Sequence, residues 1–340
     1  MATIYEVSAL AGVSLSSVSR VLNNHEHVSE KTKAKVNKAM EQLGFRPNSI
    51  ARSLASNRTN SVGILVSELY GPFYGEMLSG IESELRAAEK HGIIAAGHSD
   101  EASEKAGIEF LIARNCDALI LHVDAVSDEY LIELSKGKTP FVIINRYVAE
   151  IADNCIYLNN KLGGYQATKY LLEQGHRELA YISGPLWKPD AKDRLYGHKQ
   201  ALAEHSINFN ETLLYQGNFE ITGGSDGMQY LIDQGLNFSG VVCANDEMAS
   251  GAMKVARENN VNVPADCSII GFDNDFFSEY LYPQLTTIDN PVNEMGHMAA
   301  KWVLKNIYND KKLEIKNLFE PSLILRESSK AKAKAKTTKR

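Results

Sequence analysis

Over the first fifty positions apolar residues recur at three- and four-residue intervals. After residue 60 they gather instead into short unbroken runs separated by amphipathic stretches. The first pattern is helical. Ile4, Val7 and Leu10 with Ala11 give helix one a single buried stripe. Thr3 and Glu6 have capping-box spacing at its start, and Gly12 permits a turn at its end. Ser14 caps a second helix whose inner face is Val18, Val21 and Leu22, which leaves Leu15, Ser16, Ser17 and Arg20 facing outward at its N-terminal end. Ser29 with Glu30 opens a third helix, with Val36, Met40 and Leu43 inward, Lys31, Lys35 and Lys38 outward, and Gly44 at its end. Two short helices joined by a tight turn form the arrangement that seats a helix in a DNA major groove. The stretch from Pro47 to Leu54 predicts a further short helix carrying an apolar residue toward the other groove.

From Val62 the chain alternates. Apolar runs at Val62–Val66, Gly92–Ala96, Ala118–Leu121, Phe141–Ile144 and Cys155–Leu158 have the character of buried parallel strands. Amphipathic segments from Tyr74, Glu104 and Glu129 separate the first four of them. After a long helix from Lys161 to Gln174 the alternation starts again. It has strands at Leu179–Ile182, Leu213–Tyr215, Gly240–Cys243 and Cys267–Gly271, and helices from Lys192, Gly223 and Glu247. A helix from Val292 to Tyr308 and a strand at Ser322–Leu325 finish the pattern. The expectation is an α/β chain: a three-helix helix-turn-helix head, a hinge helix, then two doubly wound lobes with parallel sheets. Ligands of such sheets bind beyond the carboxyl ends of the strands, so Phe73, Asn145, Arg146, Asn245 and Asp273 become candidates by position alone. The boundaries expected are 1–46 for the DNA-binding head, 47–60 for the hinge, 61–328 for the two-lobe body and 329–340 for a basic, disordered tail.

Length agrees with several domains, since 340 residues exceed one ordinary core. A composition of 44% hydrophobic and 23% charged residues is that of a soluble globular protein. The net charge of −6 conceals an asymmetry. Eight basic residues face four acidic ones up to Asn60, and seven face one from Arg326 onward, so the stretch between is strongly acidic. A basic head on an acidic body suits a head that meets phosphates. Cys116, Cys155, Cys243 and Cys267 are isolated and read as buried thiols in a reducing compartment. No apolar leader or membrane-length run appears, so a cytoplasmic protein is expected.

Phosphate-cradling, nucleophile-elbow and metal-ligand motifs are missing, and the scattered His residues have no partner at ligand spacing. No cofactor is expected. The cluster that stands out is polar and aromatic: Arg194, Phe219, Asn245, Asp273 and Asn290. It suits a polyhydroxyl ligand, whose hydroxyls both donate and accept and whose ring has an apolar face. The plainer alternative for Asn245 and Asp273 is capping of the helix that follows. Trp187 fits either a rim aromatic or a ring covering surface.

The head resembles that of the LacI/GalR family of bacterial transcription regulators through Thr3–Val7, Ala11–Ser14, Val18–Asn23 and Ala51–Leu54. The body is similar through Arg194–Gly197, Ala244–Ala249, Gly271–Asn274 and Leu285–Ile288, and the likeness runs from Ala2 to about Ser328. Ile144–Arg146, Asp190–Leu195 and Phe319–Leu323 resemble the galactose-repressor and β-glucoside-operon subgroup. The resemblance implies a homodimer on a near-palindromic double-stranded operator, with a small sugar effector between two lobes like those of periplasmic binding proteins. It places Leu15, Ser16 and Arg20 on major-groove bases, flanked by Thr3, Ser17, Asn23 and Ser29. An arginine of this kind can take a guanine bidentately. Leu54 becomes a minor-groove wedge in a hinge with Asn48, Ala51 and Ala55, too short to be helical alone in water. It puts Phe73, Tyr74, Asn145, Arg146, Arg194, Phe219, Asn245, Asp273 and Asn290 around the effector. Many relatives carry Asp-Asn where this chain has Asn159-Asn160, and the tail has no leucine heptads of the kind that make tetramers.

The body alone fits two other readings. A sugar-binding transport or sensor protein would share the body but would not need the head. A glycosidase would need an acid/base pair, for which Asp273 with Asp246 or Asp193 could be put forward, yet nothing else assembles a reaction. Whether an effector induces or co-represses depends on which lobe arrangement it favours, and that is not written in the sequence.

Overall fold

A computed structural model of the chain describes residues 2–22, 25, 27–46 and 58–331. It divides into two compact units, Met1–Asn60 and Ser61–Arg340.

In the first unit, α1 (Ile4–Ala11), α2 (Leu15–Leu22) and α3 (Glu30–Leu43) pack around Val7, Ala11, Val18, Val21, Val36 and Ala39. The Thr3 amide donates to Glu6 Oε2 at 2.7 Å while the Glu6 amide donates to Thr3 Oγ1, which completes the capping box. Gly12 and Gly44 end their helices in the left-handed region, at φ 62° and 59°. One element of the expected stripe fails: Leu10 is 51% exposed. A three-helix unit this small covers only the narrow face formed by Ile4, Val7 and Ala11. On α3, Ala39 is buried while Met40 and Leu43 are only partly so.

The second unit has two lobes. The first is a six-stranded parallel sheet in the order β11-β5-β4-β3-β1-β2. Its strands are β1 (Ser61–Val66), β2 (His91–Ala96), β3 (Ala118–Leu121), β4 (Phe141–Ile144), β5 (Cys155–Leu158) and β11 (Leu318–Phe319). Helices α4 (Pro72–Ala87), α5 (Glu101–Ala113) and α6 (Asp128–Ser135) fall between its first four strands. The second lobe is a parallel sheet ordered β7-β6-β8-β9, made of β6 (Leu179–Ser183), β7 (Leu214–Gln216), β8 (Gly240–Cys243) and β9 (Ser268–Ile270). Around it lie α7 (Asn160–Glu173), α8 (Pro189–Glu204), α9 (Ile221–Asp233) and α10 (Asp246–Glu258). An antiparallel pair of β10 (Thr287–Asp289) and β12 (Ser322–Ile324) adjoins it.

The chain crosses between lobes three times. It leaves the first lobe after β5. It returns at Asn290, because α11 (Val292–Ile307) packs on α4 and behind β3 and β4. β11 then pairs with β5, and β12 goes back to β10. The late strands β10 and β11 did not register in the apolar pattern, being three and two residues long. Several helices also begin before their periodicity does. Pro72 and Pro189 start α4 and α8, and Asp100 caps α5 by accepting from the Ser103 amide at 2.9 Å. The body extends past Ser328: Ser329 Oγ bonds Thr286 Oγ1 at 2.9 Å, and the Lys330 amide bonds Ser268 Oγ at 3.1 Å. The expected tail therefore starts at least two residues later, and its residues 332–340 lie outside those described. Among the described residues no helix is long and apolar enough to cross a membrane.

Candidate functional site

In the head, α2 holds Val18 and Val21 inward and leaves Leu15, Ser16 and Arg20 exposed, with Ser17 half-buried. Ser14 Oγ accepts the Ser17 amide at 3.2 Å and lies 2.9 Å from both the Ser16 and Ser17 hydroxyls, so the start of the helix is fixed. A helix N-terminus with small hydroxyls and a guanidinium one turn on is a surface for base edges and phosphates. Thr3 and Ser29 cap α1 and α3 with their hydroxyls. Asn23, Asn48, Ala51, Leu54 and Ala55, and with them the expected hinge helix, lie outside the described residues.

In the body, a cavity of about 270 Å³ opens between the carboxyl ends of the two sheets. Phe73, Tyr74, Arg194, Phe219, Asn245 and Asp273 line it, together with Glu68, Tyr70, Gly71, Ser99, His122, Asp124, Lys188, Asp190, Asn218, Glu220 and Glu247. Arg194 organises the second-lobe side. It is 2% exposed. Its Nε donates to Asn160 Oδ1 at 2.8 Å, its Nη1 donates to the Ala244 carbonyl at 2.5 Å, and Asp273 Oδ1 lies 3.3 Å away. Its guanidinium also stacks on Phe272 at 3.6 Å. The sequence sets this up through close helix packing. A Cβ at Gly164 of α7 would fall on the Arg194 carbonyl, and one at Gly197 of α8 would fall on the Lys161 carbonyl. Only glycine at both positions lets the two backbones meet and carries Arg194 to the first crossover.

Asp273 sits at φ 104° beside the second crossover, where Asn290 Nδ2 donates to its Oδ1 at 3.0 Å. Burial pushes the Asp273 carboxyl up, and the Arg194 guanidinium and the Asn290 amide offset this in part. Asn245 does what the plainer reading expected. Its Oδ1 caps α10 through the Met248 amide at 3.0 Å, while its Nδ2 donates to the Phe219 carbonyl at 2.8 Å, so it positions the Phe219 backbone as it lines the cleft. Asn159 likewise caps α7, and Asn160 serves Arg194.

Asn145 and Asn290 are buried one hydrogen bond behind the lining. Asn145 Nδ2 reaches Asp190 Oδ2 at 3.5 Å. The Oδ1 atoms of both asparagines are buried without a partner, an arrangement that favours a donor such as a ligand hydroxyl or a water arriving there. Arg146 is a correction. Asn145 at φ 62° reverses the chain, and Arg146 turns back to donate to the Val126 carbonyl at 2.8 Å and to pair with Asp128. It does not line the cleft. Trp187 is 48% exposed and is not among the lining residues.

The first-lobe side contributes rings and an acid. Phe73, Tyr74 and His122 pack edge-on at 5.2–5.5 Å. Asp124 Oδ2 accepts from Ser67 Oγ, Ser99 Oγ and Lys188 Nζ, each at 2.8 Å. Burial works to raise the Asp124 pKa, but His122, the Lys188 ammonium and these hydrogen bonds outweigh it and hold the carboxyl well below the usual range. These residues were missed as candidates although they follow strand ends. Glu68 follows β1, His122 and Asp124 follow β3, and Lys188 follows β6. Beneath the cleft, Thr287 Oγ1 donates to buried Asp246 at 2.6 Å, and Asp275 is pushed up to about 9 by burial and the neighbouring carboxylates.

Residues 3–48 match the profile of bacterial regulatory proteins of the lacI family, and residues 168–329 match a periplasmic binding protein-like domain. The chain is 39% identical over 328 residues to the HTH-type transcriptional regulator GalR of Escherichia coli, with 96% of each protein covered. It is 34% identical over 328 residues to the ribose operon repressor of Haemophilus influenzae, covering 96% of this chain and 98% of that one. Among solved structures, the lac repressor dimer bound to operator and the anti-inducer ONPF superposes with a TM-score of 0.86 at 26% identity, covering 97% and 99% of the two chains. The CelR–cellobiose complex gives 0.71 at 29% identity, covering 97% and 100%. With a head that matches the lacI-family profile and a periplasmic binding protein-like body, the chain belongs to the LacI family of bacterial DNA-binding transcriptional regulators.

Proposed function

We propose that this regulator is a repressor of a sugar-utilisation operon, that it acts in the cytoplasm as a homodimer without catalysing a reaction, and that a galactose-type hexose or a β-glucoside binds between its lobes. Residues 1–46 read the operator, with Leu15, Ser16 and Arg20 on base edges. Residues 47–60 form the hinge with Leu54 as its wedge, and the body from residue 61 binds effector and dimerises. Likeness to the ribose operon repressor of Haemophilus influenzae and to a CelR bound to cellobiose supports the sugar class. Likeness to a lac repressor dimer on its operator supports the homodimer.

The observation that carries the effector reading is the chemistry of the cleft. Phe73, Tyr74 and Phe219 offer rings, while Glu68, Asp124, Asp190, Glu220, Glu247 and Asp273 outnumber the two cations Lys188 and Arg194. Burial, with Asp273 and Glu220 nearby, already raises the Glu247 pKa, so added negative charge is disfavoured there. Such a lining accepts hydroxyl protons and stacks on a sugar face, and it repels phosphorylated sugars. The test is a thermal-shift panel of D-galactose, cellobiose, aryl β-glucosides, hexose 6-phosphates, purines and nucleosides. Stabilisation by a neutral hexose or β-glucoside, without a response to the phosphates, is expected. A response confined to purines or nucleosides overturns the sugar assignment.

A further inference from the structure

Lys188 lies in the loop between β6 and α8 of the second lobe, yet its bonds are made across the cleft. Its Nζ donates to Asp124 Oδ2 at 2.8 Å and to Ser99 Oγ at 3.0 Å, both on loops of the first lobe. The pair is well enclosed, with side chains 14% and 8% exposed. Asp124 is held in place from its own side by Ser67 and Ser99, so the acceptor is rigid before the lysine arrives. On its own side Lys188 lies near the Trp187 and Phe219 rings, at 5.4 and 6.0 Å. No other ion pair among those seen between described residues joins the two cleft faces. Arg194–Asp273 is internal to the second lobe, and Arg146–Asp128 is internal to the first.

We infer that Lys188 and Asp124 form an interlobe latch that sets how far the lobes close in the effector-free protein. Opening the cleft would separate the two charges, leave Asp124 with only its serine donors and return the ammonium to water. Closure gains their attraction at the cost of drying both charges, and the Ser67 and Ser99 hydroxyls, which stay on Asp124 in either arrangement, reduce that cost so that the pair favours the closed arrangement. Rigid-body closure around a cleft is a general way of coupling a ligand to a distant segment. An effector entering this cleft must either fit around the latch or replace its bonds, so the latch weights the lobe equilibrium that the ligand then shifts. This consequence rests on the reading of the cleft as the effector site, whereas the latch itself does not.

The experiment uses the full-length protein without effector and without DNA, so the outcome is independent of which sugar binds. Small-angle scattering is recorded for the parent, Asp124→Asn, Lys188→Met and the charge swap Asp124→Lys/Lys188→Asp, with thermal melts confirming that each is folded. Both single variants are expected to raise the population of the open arrangement by about tenfold, within the usual range for interactions that couple two states. This would be read as a larger radius of gyration. The swap is expected to recover most of the parent's compactness. Single variants that scatter as the parent does overturn the latch, and so does a swap as expanded as the single variants. Failure of the sugar panel with the scattering result intact would instead sink only the choice of effector. If a variant melts before scattering can be recorded, the conservative Lys188→Arg decides: it should stay compact, and expansion with a normal melt overturns the pairing.

Discussion

The two faces of the cleft are built on different principles. On the second-lobe face the polar groups are engaged with one another: Arg194 is fixed by Asn160, Ala244, Asp273 and Phe272, and Asp273 by Asn290. On the first-lobe face Phe73, Tyr74 and His122 present ring edges, and the polar group Asp124 reaches across to the opposite lobe through Lys188. One face is pre-organised and woven into the crossovers, so ligand orientation is fixed there at little further ordering cost. The other supplies apolar surface and a movable contact. Damage to the second-lobe face should therefore cost fold and function together. Damage to the first-lobe face should cost function while leaving the fold largely intact.

The largest effect is expected from Arg194→Met. Removing a buried guanidinium strands the Asp273 carboxylate and the Asn160 amide oxygen, and breaking one side of a buried pair costs about 3–5 kcal/mol. Urea unfolding should show that loss together with loss of the thermal shift by the effector. A variant as stable as the parent would mean that the network does not brace the crossovers, and the contrast between the faces would fail.

Much of the fold was legible in the sequence because buried parallel strands leave continuous apolar runs and helices leave stripes. The three head helices and the two rounds of alternation come from patterns of that kind. The interleaving of the lobes does not. Nothing local in Val292–Ile307 says that it packs on α4, more than two hundred positions earlier in the chain, nor does Leu318–Phe319 announce β5 as its partner. The same limit shaped the site. Arg194, Asp273 and Phe219 stood out by type, and the strand-end rule pointed at the right rim. That rule gives position without direction, however. Arg146 follows β4 and turns away at Asn145, while Asp124 and Lys188 become a pair only once the lobes face each other.

Acidity sharpens the comparison from beneath the second-lobe face. Asp275 is pushed up to about 9 by burial and by Asp273, Asp246, Glu247 and Glu76, and burial raises Asp246 as well. A carboxyl whose folded pKa lies above its unfolded value of about 3.9 contributes stability that is full below that value. The contribution is lost as pH rises toward the folded pKa. The Asp275 contribution to the stability of the body should therefore decline from about pH 4 to pH 9. Asp275→Asn, which cannot titrate, should lag behind that decline, so that its melting temperature gains on the parent's with rising pH. Parallel curves for the two proteins would remove the strained carboxyl from the account. On the first-lobe face the expectation is the reverse. Phe73→Leu, a swap between apolar side chains at a half-buried position, should cost less than about 1.5 kcal/mol in stability. It should nonetheless weaken the effector response, as calorimetric titration with the responding sugar would reveal.

Arg146 gives the smallest effect and the cleanest separation of place from type. It has the residue type and the strand-end position expected of an effector contact, but its guanidinium is occupied by the Val126 carbonyl and Asp128 on the far side of the turn. Asp128 is half exposed, so solvent screens the pair, and a contribution on the order of 1 kcal/mol or less is expected from it. Arg146→Gln keeps a donor for the Val126 carbonyl and removes the charge. It should shift the urea midpoint slightly and leave the effector dose-response within about twofold of the parent, less than the smallest coupling usual between linked sites. A large change in effector affinity without a change in stability would mean that the side chain swings into the cleft when ligand binds. The cleft would then hold a third cation, the first on its first-lobe face, and the charge argument against phosphorylated sugars would weaken with it.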